Sequence, residues 1–345
     1  LSTDPVWFGF VPFNLVAVVP RMLGASHSWT PPDRAAALER SWEIAWRDLS
    51  GGDQMAAPFH ALWREGDAWR YHRPLLFLNG THQRTGLPIV TAPARLDRPD
   101  FLASHDFINI TRHDVRLSTA ATNSARFPYV TPAGGFREAG QGDWLGNLVD
   151  GGYFDNQGAS TLSDVALALQ DVFRARFPGR LLRLMVVQVS SDPERRQEEL
   201  VRCADLRAAQ TGRDPRQQHE DAVAALKTEG RSPSGLDAPL APLLAVAATQ
   251  AAHTVRTSVN LARVFCSNSP AVRPLPQVEF SYLHFKLCRP GKGQVPPLNW
   301  VLPRVTRDYI ASKAMAECGN AAELEAYRRW LAPPVTKAAS PTPGR

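Results

Sequence analysis

Residues 144–161 read WLGNLVDGGYFDNQGAST, and no other stretch narrows the fold as sharply. The apolar pair Leu148-Val149 delivers an acid, Asp150, directly into Gly151-Gly152. Two glycines open backbone angles closed to other residues and let another segment or a ligand approach the main chain closely. Asp155-Asn156 and Gly158 follow, and then a helix starts. Thr161 with Asp164 resembles a capping box, and Leu162, Val165, Ala166, Leu169, Val172 and Phe173 fall on one apolar helical face. Strand, acid, glycine turn and helix is how an α/β protein presents a reactive side chain at the carboxyl edge of a sheet. Asp-Gly-Gly is also a common plain turn, since both residue types dominate turns on steric grounds. The two readings differ in one observable, whether the Asp150 carboxylate faces a cleft.

The flanking sequence supplies a sheet for this unit. Residues 75–78 (LLFL) form an apolar run suited to a central strand covered on both faces, ending at Asn79-Gly80-Thr81. Thr85-Gly86 turns the chain into Ile89-Val90, predicting a hairpin. Residues 107–110 read as a third short strand. Residues 117–125 carry small side chains that let a helix pack close to a sheet, and Phe127-Pro128 ends it. After the helix 161–177, residues 181–189 (LLRLMVVQV) predict a buried strand that completes a β-α-β step. Upstream, Asp33 predicts the cap of a helix with Leu38, Trp42, Ala45, Trp46 and Leu49 on its buried face. Residues 190–238 turn charged and read as a helical insertion, 239–265 as an Ala-rich helix, and 278–287 as an edge strand. Two helices split by Gly319-Asn320 close a domain over residues 1–331, and 332–345 has the composition of a disordered tail.

Three of these blocks resemble one family. LVDGGYFDNQG resembles the segment that carries the catalytic aspartate of the patatin-like phospholipases, spelled Asp-Gly-Gly or Asp-Gly-Ala and commonly followed by Asn. LSTAATNSARFP (117–128) resembles the family's small-residue helix ending in Phe-Pro, and PLLFLNGTHQRTGLPIV (74–90) its strand-and-hairpin segment. LSTDPVWFGF, followed by PPDRAAALERSWEIAW, is similar to the middle part of bacterial members, downstream of their nucleophile. The resemblance implies a three-layer α/β domain with a mostly parallel central sheet. It implies hydrolysis of lipid or phospholipid acyl esters by a serine–aspartate dyad without a cofactor. In it Asp150 is the general base, and Gly151, Gly152 and Asn156 position the motif. The family's serine sits in a G-x-S-x-G elbow, with a glycine-rich oxyanion loop upstream. Ser26 (G-A-S-H-S), Ser160 (G-A-S-T-L) and Ser232 (G-R-S-P-S) do not complete that elbow. The expectation is therefore a C-terminal part of such a protein, its N-terminal strands missing, carrying the base without the nucleophile. Alone it should hydrolyse no ester and resist a serine-directed fluorophosphonate. The alternative is a non-catalytic lipid-binding or interaction module on the same scaffold.

Composition limits the other readings. With 345 residues, 44% hydrophobic and 21% charged, the chain can bury a sizeable core. A net charge of +6 suits anionic membrane surfaces, and no basic aromatic-interleaved patch supports nucleic acid. The first 29 residues are rich in aromatic side chains and read either as buried core or as an apolar lid touching a membrane. The apolar run 11–23 is broken by Pro12, Asn14 and Pro20 and is too short to span a bilayer, which leaves a cytoplasmic or peripheral-membrane setting. Cys203, Cys266, Cys288 and Cys318 lack C-x-x-C spacing, so no zinc is expected and the cysteines read as reduced, which fits a cytoplasmic setting. Asp150 with Asp155 is too small an oxygen set for a hard cation. His82, His105 and His113 read as structural or exposed rather than as a Ser–His pair, and Asp143 as a loop acid.

Overall fold

The computed structural model of the chain describes residues 34–66, 68–70, 72–96, 101, 104–126, 131–138, 143–190, 253, 257, 260, 261, 278–287 and 304–332. The expectations for residues 1–29, for the insertion after Ser190 and for the tail after Ala332 lie outside these residues. Of the helix expected over 239–265, His253, Thr257, Asn260 and Leu261 are described, and all four are helical. The protein is mixed α/β and divides into two units, residues 1–180 with 231–261 and residues 181–230 with 262–345.

The first unit opens with α1 (Arg34–Ser50). Its buried face holds Ala35 and Leu38 but also Glu39 and Glu43, while Trp46 and Leu49 are exposed. This corrects the expected apolar face, and the cause is pairing. Arg116 donates from Nη2 to Glu39 Oε2 at 3.2 Å and from Nη1 to Glu43 Oε1 at 2.9 Å. Ser118 and Thr119 hydroxyls donate to the same two carboxylates at 2.8 Å. A carboxylate buried with charge-assisted hydrogen bonds replaces the apolar contacts the periodicity implied.

After a two-residue hairpin, β1 (Arg64–Glu65) with β2 (Ala68–Trp69), the chain enters its main sheet. The sheet comprises β3 (Leu78–His82), β4 (Pro88–Thr91), β5 (His105–Asp106), β6 (Gly134–Arg137) and β7 (Trp144–Asp150), in the order β5-β4-β3-β7-β6. The hairpin at Thr85-Gly86 joins β3 to β4 antiparallel. β7 runs antiparallel to both β3 and β6, and only β4 with β5 is parallel. The described sheet is mixed, and the mostly parallel arrangement expected is not seen among the described residues. Along β4 successive side chains point to opposite faces. Ile89 joins a cluster with Phe107, Phe136 and Leu148, and Val90 one with Ala92, Leu96 and Phe101.

Two strand expectations shift. Pairing begins at Leu78, so Asn79-Gly80-Thr81 lies within β3 and Leu75 is left half exposed at 53%. Residues 107–110 are not a strand but lie in α2 (Phe107–Thr111). Asp106 caps that turn by accepting the Asn109 N–H at 2.9 Å, and Arg112 closes it in the left-handed region at φ 54. A local cap outweighs the β propensity of so short an apolar run. The small-residue helix forms as expected, α3 (Leu117–Ser124), with Ala120 and Thr122 fully buried. After a one-turn α4 (Gly152–Asp155), the long helix α5 runs over Ala159–Arg176. Val165 and Ala168 meet the Val90 cluster and Gln170 is buried, whereas Leu169 and Val172 are exposed.

The second unit is built on β8 (Leu182–Ser190), paired parallel and in register with β9 (Val278–Lys286). The strand expected over 181–189 therefore forms, but its described partner is β9 rather than the strand bearing Asp150. Helices α6 (Arg304–Ser312), α7 (Ala314–Glu317) and α8 (Asn320–Leu331) follow. Gly319, at φ 75, makes the split before α8. Asn320 and Glu323 of α8 occupy backbone groups of β9. Asn320 accepts the Lys286 N–H at 2.9 Å and donates to its carbonyl at 2.8 Å, and Glu323 accepts the His284 N–H at 3.3 Å. Polar side chains at an edge strand block its further pairing. Cys318, packed with Tyr309 and Ala314, is disulfide-bonded. The expectation of reduced cysteines fails there, and the cysteine argument for a cytoplasmic setting goes with it. No helix among the described residues is long and apolar enough to cross a membrane.

Candidate functional site

Asp150 is the last residue of β7, opposite Gly80 of β3. Its N–H donates to the Arg126 carbonyl at 3.2 Å, and the next N–H, from Gly151, donates to the Ser124 carbonyl at 3.1 Å. The end of α3 thus fixes where the strand stops. Leu148, two residues back, is the side chain sent into the core, at 2% exposure, while Val149 is half-buried. Strand alternation fixes that parity, so of the apolar pair it is Leu148 that enters the core.

The two glycines are needed for space rather than for unusual dihedrals. Gly151 has φ −63 and ψ −27, open to any residue, and neither glycine has a positive φ. A Cβ on Gly151 would stand 2.1 Å from the Asn79 carbonyl oxygen. One on Gly152 would stand 2.9 Å from Asp150 Oδ1 and 2.9 Å from Asn156 Oδ1. Gly152 keeps the surroundings of the carboxylate clear, and Gly151 lets the turn pass close against β3. Gly152 also donates its N–H to Asp150 Oδ1 at 2.7 Å. Burial raises the Asp150 pKa above the ordinary carboxylate range, and the Gly152 hydrogen bond partly offsets that. A carboxylate held this way is a stronger base than an exposed aspartate.

The carboxylate lines a cleft of about 220 Å³, together with Asn79, Ser124, Gly152, Asn156 and Gly158. Asp150, Gly151, Gly152 and Asn156 are brought together here. Asp155 lines the same cleft but is committed, accepting the Gln157 N–H at 3.2 Å and the Ser160 N–H at 2.6 Å. It caps the start of α5, a role expected of Thr161. The Thr161 hydroxyl instead donates to Asn79 Oδ1 at 2.9 Å, and Gly158, at φ 70, is the cap residue. Sequence reading missed Asn79 and Ser124 as site residues. The signal was present in two of the quoted blocks, since Asn79 is the Asn of L-N-G-T and Ser124 ends the small-residue helix. The Ser124 hydroxyl donates to the Asn79 carbonyl at 2.7 Å, so Asn79 ties α3, the Asp150 turn and α5 to one another.

The other candidates stand apart from this cleft. His82 is buried with both ring nitrogens engaged, to the Thr85 hydroxyl at 2.8 Å and the Leu145 carbonyl at 2.9 Å. His105, His113 and Asp143 are exposed. No cluster of three metal-ligating side chains occurs among the described residues. No protein-family model matches the chain, and comparison with curated proteins and with solved structures returned no match.

Proposed function

We propose that Asp150 is the general base of a serine–aspartate acyl-ester hydrolase of the patatin-like kind, whose serine lies outside this chain. The observation that carries the reading is a strand-end carboxylate, raised in pKa by burial and kept clear by Gly152 in an open cleft. In this reaction the serine oxygen bonds to the acyl carbon as its proton passes to Asp150. The ester C–O bond breaks and the alcohol leaves with that proton. Water then attacks the acyl carbon as its proton passes to Asp150, the acyl–serine C–O bond breaks, and Asp150 returns that proton to the serine oxygen, releasing the acid and the free enzyme. The chemistry needs no cofactor. The mostly parallel three-layer sheet belongs to the complete protein in this reading, as does contact of residues 1–29 with anionic membranes. Co-sedimentation with anionic liposomes, with and without those residues, checks the membrane contact.

Ser124 is the one serine among the described lining residues. Its hydroxyl is given to a backbone carbonyl rather than to Asp150, and it stands in T-N-S-A-R rather than in an elbow. The test is Asp150→Asn in the complete natural protein, which keeps the shape and removes the base. The expected loss is about 10²–10⁴-fold in turnover, and the acid limb of the unsubstituted enzyme should lie above the ordinary aspartate range. Near-normal turnover by the variant rejects the role, whereas no turnover by either protein favours the non-catalytic lipid-binding module. Stoichiometric fluorophosphonate labelling of Ser124 in residues 1–345 alone would place the nucleophile inside this chain.

A further inference from the structure

We infer that the Asp150 cleft selects acyl esters whose alcohol part is uncharged and rejects those bearing a phosphate next to the scissile ester. The inference rests on the hydrolase reading above and names its substrate class. A phosphate-bearing substrate needs cations or free backbone N–H groups near its ester. No Lys, Arg or His stands among the described residues lining the cleft. Arg126, whose carbonyl receives the Asp150 N–H, sends its guanidinium elsewhere, to Asn123 Oδ1 at 3.0 and 3.1 Å and to the Pro132 carbonyl at 2.7 Å.

The remaining anion site would be the N-terminus of α5, an 18-residue helix whose cap residue Gly158 lines the cleft. A helix start attracts anions through its free N–H groups and dipole. Here the protein has filled that place with its own carboxylate. Asp155, 5% exposed, accepts the Ser160 N–H at 2.6 Å and the Gln157 N–H at 3.2 Å. An incoming phosphate meets two carboxylates, Asp150 and Asp155, where it would need donors. A neutral hydroxyl-bearing alcohol meets a suitable surface. Asn79 directs its Oδ1 to Thr161, so its amide N–H groups lie on the Gly158 side, 3.8 Å from the place of a Cβ there. The cleft thus offers an amide donor and carboxylate acceptors to a glycerol-like alcohol.

The experiment uses the complete natural protein with two substrates of one acyl chain, 1-oleoylglycerol and 1-oleoyl-lysophosphatidate, at equal mole fraction in neutral detergent micelles. The expected result is a kcat/KM at least about tenfold higher for 1-oleoylglycerol, equivalent to about 1.4 kcal/mol. Inorganic phosphate should not compete with either substrate. Asp155→Asn keeps an acceptor for the helix start but removes the charge, and should narrow the ratio at least about threefold by raising lysophosphatidate turnover. Equal or reversed preference in the unsubstituted protein overturns the inference, whether or not the variant folds. Asp150→Asn run beside it separates the two readings. If that variant keeps normal turnover on both substrates, the hydrolase assignment itself fails. If it is inactive while the preference is absent, only the selectivity falls.

Discussion

Two strand ends in this chain carry polar side chains, and they are built in opposite senses. At the end of β7, Asp150 keeps one oxygen on Gly152 and presents its carboxylate to a cleft. Near the end of β8, Ser190 and His284 share a hydrogen bond of 2.7 Å, with Tyr282 bonded to Gln188 alongside. By residue type the second pair looks the more catalytic, since a serine hydroxyl against imidazole is the start of nucleophilic catalysis. Its surroundings say otherwise. Ser190 and His284 are 5% and 8% exposed, and the polar groups of that stripe satisfy one another. Burial, with Lys286 nearby, lowers the His284 pKa to about 4 and keeps the ring neutral. A closed pair stabilises a core, whereas a carboxylate with unspent capacity in an open cleft has chemistry left to do.

The contrast is tested hardest by pH. The folded pKa of His284, about 4, lies below the 6.5 of the unfolded chain, so the unfolded state binds more protons between those values. Its contribution is complete above pH 6.5 and is lost as pH falls toward 4, by an amount on the order of 3 kcal/mol. Denaturant unfolding from pH 7 to 4 should show this slope, and His284→Gln should flatten it relative to the unsubstituted chain. Equal slopes would mean the imidazole is not closed off. Tyr282 acts at the other end of the scale. Burial and Glu323 raise its pKa, so the unfolded tyrosine ionises first and stability is lost as pH rises above 10.

Paired substitutions sharpen the same comparison. Gly151→Ala drives a methyl group against the Asn79 carbonyl, 2.1 Å from the new Cβ position. The backbone must shift, at about 1–3 kcal/mol, and the displaced carboxylate should cost turnover on the order of 10²-fold in the complete protein. Ser190→Ala leaves the His284 ring without its partner, at about 1–3 kcal/mol, and should leave turnover per folded molecule unchanged. Fluorophosphonate should not label Ser190 in either background. Labelling there that depends on His284 would make the second pair a nucleophile and reverse the assignment of the two regions.

What the sequence showed was the site's order along the chain. An apolar pair before Asp-Gly-Gly gave the strand end, small residues gave the close-packed α3, and Thr85-Gly86 gave the hairpin, because each is a local signal. Pairing partners were not legible. β8 reads as a buried strand in any sheet, and its register with β9 depends on residues nearly a hundred positions away. The buried glutamates of α1 were hidden for the same reason, since their partner Arg116 lies more than seventy residues on. Asn79 and Ser124 become site residues only when β3 and α3 close on β7. The Asp106 cap was local and readable, but the apolar run after it matched a strand equally well.

The smallest expected effect separates the regions by sign. The Asp150 carboxyl holds its proton to higher pH in the folded protein than in the unfolded chain, because burial disfavours the charged form. Folding is therefore favoured most below the unfolded pKa, and that contribution is lost as pH rises through the folded value. At neutral pH the ionised group costs stability, as functional acids held for reaction rather than for pairing commonly do. Asp150→Asn keeps an oxygen for the Gly152 N–H and removes the charge, so it should stabilise the chain at pH 7 by about 0.5 kcal/mol or slightly more. The gain should shrink toward zero as pH falls to 3.8 and below, where the unsubstituted carboxyl is protonated in both states. Thermal melts of the two proteins across pH 3–8 read this directly. A variant less stable at pH 7, in the manner expected of Ser190→Ala, would make Asp150 a structural acid like Asp155, and the cleft would lose its base.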